Sequence, residues 1–217
     1  MLIELAEQTL AIDCGPDFRQ QMLRTGVLGL DAILLTHEHN DHIIGLDDVR
    51  PFNFRSRQDM PIYAVPTVIQ ELHTRFAYVF AENRYPGAPR IRVVPINDTA
   101  PFSIGSTVIL PIQVYHGKLP VLGFRIGDFT YITDMKTIPD EELTKLLGTR
   151  VLVINALHHK QHHSHLNLEE ALAFIERIQP ESSYLTHVSH RMGLYAEVSE
   201  YLPEGVQLAY DGLKLDI

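Results

Sequence analysis

Four side chains able to ligate a metal fall within six residues in the segment His37-Glu38-His39-Asn40-Asp41-His42. The segment reads H-x-H-x-D-H and follows directly on the apolar run Ala32 to Leu35, so its ligands lie where a strand gives way to a loop. There His37 and His39 can converge on one ion, while the turn that follows sends Asp41 and His42 to a neighbouring one. Imidazole and carboxylate donors suit zinc or manganese, and iron as well. For any single histidine a solvated loop is the ordinary reading. The ordered set, with more donors in matching contexts downstream, decides against it. His116 follows the strand pattern Thr107 to Tyr115, Asp134 follows Phe129 to Thr133, and His187 follows Ser183 to Thr186. Loops that leave one edge of a layered α/β fold form its usual active-site face, which gives these positions a common physical cause.

The elements that must hold these loops are legible from periodicity. Leu2 to Leu5 and Thr9 to Ile12 read as strands. Asp17 is expected to cap a helix through Thr25, with Gln20 at the capping-box position, Phe18, Met22 and Leu23 on one side, and Gly26 as its stop. Ala32 to Leu35 is a continuous apolar run, the pattern of a strand covered on both faces. A helical turn is expected from His42, a strand over Ile62 to Val65 and a helix over Thr67 to Phe80. Strands then follow at Ile91 to Val94, Thr107 to Tyr115, Val121 to Ile126 and Phe129 to Thr133, with Gly127-Asp128 as a hairpin turn. A helix at Asp140 to Leu147 behind Pro139 and a strand at Val151 to Ala156 come next. Asn167 with Glu170 makes a capping box for a helix over Leu168 to Ile178. The chain is expected to end as a hairpin, Val206 to Ala209 and Leu213 to Ile217. No repeat or linker interrupts this order, so residues 1–217 read as one α/β domain of sheets with helices outside.

Composition narrows the class. With 217 residues, 45% hydrophobic and 21% charged, the chain has the balance of a globular domain. Eighteen basic against 27 acidic residues give a formal charge of −9, which disfavours a grip on long nucleic acid through its phosphates. No window approaches the roughly 18 apolar residues of a membrane span, and no signal peptide opens the chain, so no membrane partner and a cytoplasmic location are expected. The single cysteine, Cys14, fits a reducing compartment and reads as a packed small residue, not a nucleophile.

H-x-H-x-D-H followed by separate His, Asp and His resembles the metallo-β-lactamase superfamily, and the match runs along the whole chain. The resemblance implies a four-layer αββα sandwich and a dinuclear centre. In it His37, His39 and His116 hold the first metal, Asp41, His42 and His187 the second, and Asp134 bridges both. An aspartate at the bridging position resembles the superfamily's dinuclear hydrolases and phosphodiesterases more than its true β-lactamases. The segments Ile12 to Arg19, Tyr131-Ile132-Thr133-Asp134 and Thr186-His187-Val188-Ser189-His190 resemble the branch that contains the cyclic phosphodiesterase of the carbon-phosphorus lyase pathway. In that branch a histidine about twenty residues before the last ligand acts as an acid or substrate contact, and His165 matches it. Members usually begin with a further strand and a Gly/Ser-rich loop, often followed by a cysteine cluster, and the resemblance is expected to start beyond these segments. The long insertion with which transfer-RNA 3′-processing members grip RNA is also not evident.

The chemistry these readings imply is hydrolysis of a small or cyclic phosphodiester. Two Zn²⁺ or Mn²⁺ ions, with iron as a further option, lower the pKa of a shared water, and the resulting hydroxide attacks phosphorus in line. Asp41 and His165 are the candidate catalytic residues, His165 as an imidazolium proton donor. Asp13 is expected to brace the metal loop by hydrogen bonding, and His190 to touch substrate or brace a ligand. His158, His159, His162 and His163 read as a solvated loop, with an auxiliary metal tract as the alternative. Thioester or lactone cleavage, RNA 3′-end processing, an iron oxidoreductase and a non-catalytic metal-binding scaffold are the competing functions. A homodimer is compatible with the resemblance. Residues 51–60 and 83–89 carry no specific reading.

Overall fold

The computed structural model describes residues 1–217 and divides into two compact units, residues 1–97 and 98–217. The first contains β1 (Leu2–Glu4), β2 (Thr9–Ile12), α1 (Phe18–Thr25), β3 (Ala32–Leu34) and α2 (Asn40–Ile43). A 3-10 turn, Ile44–Val49, leads on to α3 (Arg50–Ser56), β4 (Met60–Ala64), α4 (Pro66–Arg75), α5 (Ala77–Phe80) and β5 (Ile91–Pro95). Its sheet has the order β1-β2-β3-β4-β5. β1 pairs antiparallel with β2, and every later pairing is parallel. All three residues of β3 are buried, as a parallel strand covered on both faces requires. Because β2 and β3 run the same way, the residues that follow them, Asp13 and Thr36-His37, leave the same sheet edge. Phe18, Ile33, Leu35, Ile43, Leu46, Ile62 and Leu72 belong to the core beneath that edge.

The second unit contains β6 (Phe102–Ile104), β7 (Thr107–His116), β8 (Leu119–Ile126), β9 (Phe129–Ile132) and α6 (Asp140–Leu143). α6 runs on into a 3-10 turn and is followed by β10 (Val151–Asn155), α7 (Leu168–Ile178), β11 (Ser182–Thr186), α8 (Tyr195–Ser199) and β12 (Val206–Leu208). The sheet order is β12-β11-β10-β9-β8-β7-β6. β6 to β9 form an antiparallel meander, while β9 to β12 pair in parallel. Two antiparallel steps separate β7 from β9, so both point the same way. His116, Asp134 and His187 therefore emerge at one edge. The Asn167–Glu170 capping box of α7 is formed in both directions, at 2.8 and 2.9 Å.

Several local expectations are corrected. Asp17 makes no side-chain cap, since its φ of −92° and ψ of 6° turn it out of the extended capping conformation. Leu23 is 67% exposed, so α1 buries Phe18 without it. The helix expected over Thr67 to Phe80 breaks at Phe76, whose φ of −111° and ψ of 37° are non-helical. His116 is the last residue of β7, paired with Leu119, and does not lie beyond the strand. The closing hairpin does not form: β12 is the edge strand beside β11, and residues 213–217 are not strand. β6, α3 and α8 were not foreseen; α3 carries a proline in its first turn, a legible start signal.

Candidate metal centre

In the first unit the ligand loop is held by Asp13, which stands at φ 61° immediately after β2. One carboxylate oxygen accepts the Thr36 N–H at 2.9 Å. The other accepts the Thr36 hydroxyl at 2.9 Å and His42 Nδ1 at 2.7 Å. A carboxylate only accepts, so His42 donates from Nδ1, and Nε2 is the ring nitrogen left to face a metal. Thr36 Oγ1 spends its own proton on Asp13 and therefore accepts from His37 Nδ1, 2.9 Å away, so Nε2 of His37 is likewise the nitrogen left to face a metal. Outer partners of this kind fix tautomer and ring orientation in metal sites. The three imidazoles are gathered, with His37 4.6 Å from His39 and 4.2 Å from His42 between ring centroids.

Glycine makes this packing possible. A Cβ on Gly15 would collide with the Asp41 carbonyl, and one on Gly45 with the Gly15 carbonyl. The backbones are instead hydrogen-bonded, Cys14 N to His42 O at 2.7 Å and Gly45 N to Cys14 O at 2.9 Å. Cys14 itself is fully buried, and burial pushes its thiol well above the ordinary range, as for an inert packed side chain.

The second unit uses the same devices. His116 Nδ1 donates to the Ser164 carbonyl at 3.0 Å and so presents Nε2. Asp134 is 2% exposed, stands at φ 56° and accepts the Thr133 hydroxyl at 2.6 Å on one oxygen. Its other oxygen faces His187 Nε2 at 3.3 Å and His165 Nδ1 at 3.7 Å. The next residue, Met135, is clamped at both polar atoms by the Asn155 amide, at 2.8 and 3.0 Å. His187 also has positive φ, 54°. Three of the five non-glycine residues with positive φ are thus Asp13, Asp134 and His187. Such conformations cost on the order of 1 kcal/mol or more each and gather where surroundings enforce a functional geometry.

His165 is buried and lies between His116 and His187, 4.4 and 5.0 Å from their ring centroids. Its Nδ1 has no hydrogen-bond partner. Burial, reinforced by the neighbouring His187, His116 and His162 and opposed by Asp134, brings its pKa down to about 4. The ring is neutral at pH 7, which bears on the imidazolium role expected for it. The histidine tract divides: His159 and His163 are exposed, while His158 is 7% exposed and not solvated as expected. His190 is exposed.

The donor set fits divalent ions on one geometric feature. Two ligands of a tetrahedral ion with bonds of about 2.1 Å stand roughly 3.4 Å apart. His42 Nε2 and Asp41 Oδ2 are 3.3 Å apart, as are His187 Nε2 and Asp134 Oδ1. His116, Asp134 and His165 also offer donor atoms within 4.8 Å of one another.

Residues 8–188 match the family model of the beta-lactamase superfamily domain. The chain belongs to that superfamily. Within it, the crystal structure of a diphosphatase from the PhnP family aligns with a TM-score of 0.91 and 34% identity, covering 99% of this chain and 81% of that one. The fold is therefore the metallo-β-lactamase fold, and within that superfamily the chain resembles the PhnP branch. Among curated relatives, the octanoyltransferase of Porphyromonas gingivalis (strain ATCC BAA-308 / W83) is 40% identical over 215 residues, 99% of this chain and 43% of that protein. Ribonuclease Z of Bradyrhizobium sp. (strain ORS 278) is 28% identical over 128 residues, 57% of this chain and 42% of that protein. The chain thus spans less than half the length of these two curated relatives, at 43% and 42%.

Asp13 was legible as a brace. Thr36 and Ser164 carry no sequence signal of their roles, whereas Asn155 carries one, as a polar residue closing the apolar run of β10.

Proposed function

We propose that this domain is a dinuclear metal-dependent phosphodiesterase for a small or cyclic phosphate diester. His37, His39 and His116 would hold one ion, Asp41, His42 and His187 the other, and Asp134 both. The observation that carries the reading is the pair of 3.3 Å donor gaps at Asp41/His42 and Asp134/His187, with an aspartate at the bridging position. Zinc or manganese bound there supplies Lewis acidity toward phosphate oxygens and acidifies water. The protein's own part is orientation. Asp13 and Thr36 aim His42 and His37, the Ser164 carbonyl aims His116, and the clamp on Met135 holds the Asp134 backbone in its unfavourable conformation. His165, neutral at pH 7, serves the departing oxygen as a hydrogen-bond donor rather than as a resident imidazolium.

The 34% identical diphosphatase supports phosphorus chemistry and adds a P–O–P linkage as a substrate class to test. Octanoyl transfer is the name of a protein more than twice the matched length, so it is not carried to this chain. A cytoplasmic location belongs to the same reading.

The test pairs elemental analysis with hydrolysis of bis(p-nitrophenyl) phosphate and of a diphosphate-linked dinucleotide, with and without added Mn²⁺ or Zn²⁺. About two ions per chain with metal-dependent turnover is the expected result. Two ions without turnover on either substrate would reject phosphorus chemistry, and no ion after reconstitution would reject the metal centre itself.

A further inference from the structure

A second candidate site lies wholly within the first unit, at the end of its sheet away from the ligand loop. β3 and β4 run parallel; His37 follows the end of β3, whereas Arg57 precedes the start of β4 and Arg90 the start of β5. One length of β4, five residues or roughly 16 Å at about 3.3 Å each, separates the two sheet edges. There a cavity of about 420 Å³ is bordered by Arg50, Arg57 and Arg90, with Phe54 and Gly87 also in its wall.

Three guanidinium groups around one cavity, with no carboxylate in the wall, are a local inversion in a chain of 18 basic and 27 acidic residues. Two of the three already have a carboxylate partner: Asp47 Oδ2 is 2.7 Å from Arg50 Nη2, and Asp59 Oδ1 is 3.5 Å from Arg90 Nε. Arg57 has no such partner and is exposed. The frame is fixed by Asn53, buried and fully engaged: its amide donates to the carbonyls of Gln58 and Arg90, at 3.0 and 2.9 Å, and accepts the Arg90 N–H at 2.9 Å. One side chain thus ties the end of α3 to the start of β5, so the arginines stand on a pre-set frame. Phe54 at the rim is 73% exposed.

We infer that this cavity binds a nucleotide carrying two or more phosphates, its phosphates held by Arg50, Arg57 and Arg90 and its base against Phe54. Guanidinium forks match phosphate oxygens in pairs, an exposed aromatic face offers a base about 1–3 kcal/mol of stacking, and about 420 Å³ is more than a lone phosphate needs. The site takes none of the proposed metal ligands.

Calorimetric titration of the metal-loaded chain with ADP, inorganic pyrophosphate and adenosine tests it. ADP should bind more tightly than either of the others. Arg57→Gln and Arg90→Gln should each weaken ADP at least tenfold, Phe54→Ala should reduce ADP to the affinity of pyrophosphate, and His116→Ala should leave ADP binding intact. Hydrolysis of bis(p-nitrophenyl) phosphate by Arg57→Gln should equal that of the parent chain, which separates this site from the proposed reaction. No ADP binding, or binding that survives both arginine variants and is lost in His116→Ala, would overturn the inference.

Discussion

One carboxylate sets the orientation of two histidines in the ligand loop. Asp13 receives the Thr36 N–H, the Thr36 hydroxyl and His42 Nδ1, and through Thr36 it also fixes His37. His165 sits differently: it faces Asp134 at 3.7 Å, and its Nδ1 is buried without a hydrogen bond. The two residues should therefore fail in opposite ways. Asp13→Asn puts an N–H where His42 needs an acceptor, and should weaken metal affinity about 10- to 100-fold in chelator competition, with activity recovered at high metal. His165→Gln should keep the full metal content and lower kcat by about 100-fold or more. Unchanged affinity in the first variant would remove Asp13 from the site. Loss of an ion in the second would make His165 a ligand instead of a substrate contact.

At the scale of elements, the Asp134 turn depends on α7. Lys136, two residues on, pairs with Glu170 at 2.7 and 2.8 Å, and Glu170 also closes the capping box. Burial alone would raise the Glu170 carboxyl, but Lys136 and the Asn167 N–H outweigh it and hold the pKa below the ordinary 4.5. A carboxyl with a lowered folded pKa contributes stability fully present above 4.5 and lost as pH falls through the folded value. Glu170→Gln keeps a cap acceptor and loses the ion pair. It should cost about 1 kcal/mol near pH 7, roughly 2 to 4 °C in melting temperature for a chain of this size. Melting curves of variant and parent should converge as pH falls below 4.5; a gap that persists there would assign the loss to packing. β3 and α7 were readable because an all-buried apolar run and a capping box are local signals. The break at Phe76 and the loss of the final hairpin were not, because non-helical dihedrals at one residue and the parallel pairing of β12 with β11 leave no local pattern in the sequence. The ligands were legible from residue type and spacing, whereas Thr36 and Ser164 act by hydrogen bonds that only the folded backbone creates.

For the whole molecule, the proposed ligand set takes His37, His39, Asp41 and His42 from residues 1–97 and His116, Asp134 and His187 from residues 98–217. The histidines must be deprotonated at the donor nitrogen and the aspartates ionised, arrangements an unfolded chain does not preassemble, so metal binding should appear as folding stability. A ligand present at a hundred times its dissociation constant stabilises by about 2.7 kcal/mol, which corresponds to roughly 5 to 10 °C in melting temperature for a chain of this length. Calorimetry on the chelator-treated chain and on the same sample reloaded with Zn²⁺ or Mn²⁺ measures the shift directly. A rise of that size that depends on metal concentration and disappears in Asp134→Ala is the expected outcome, because Asp134 is shared by both proposed ions. A melting temperature indifferent to chelator would mean that the positive φ of Asp13, Asp134 and His187 is maintained by hydrogen bonding alone, and the metal reading of the site would fall with it.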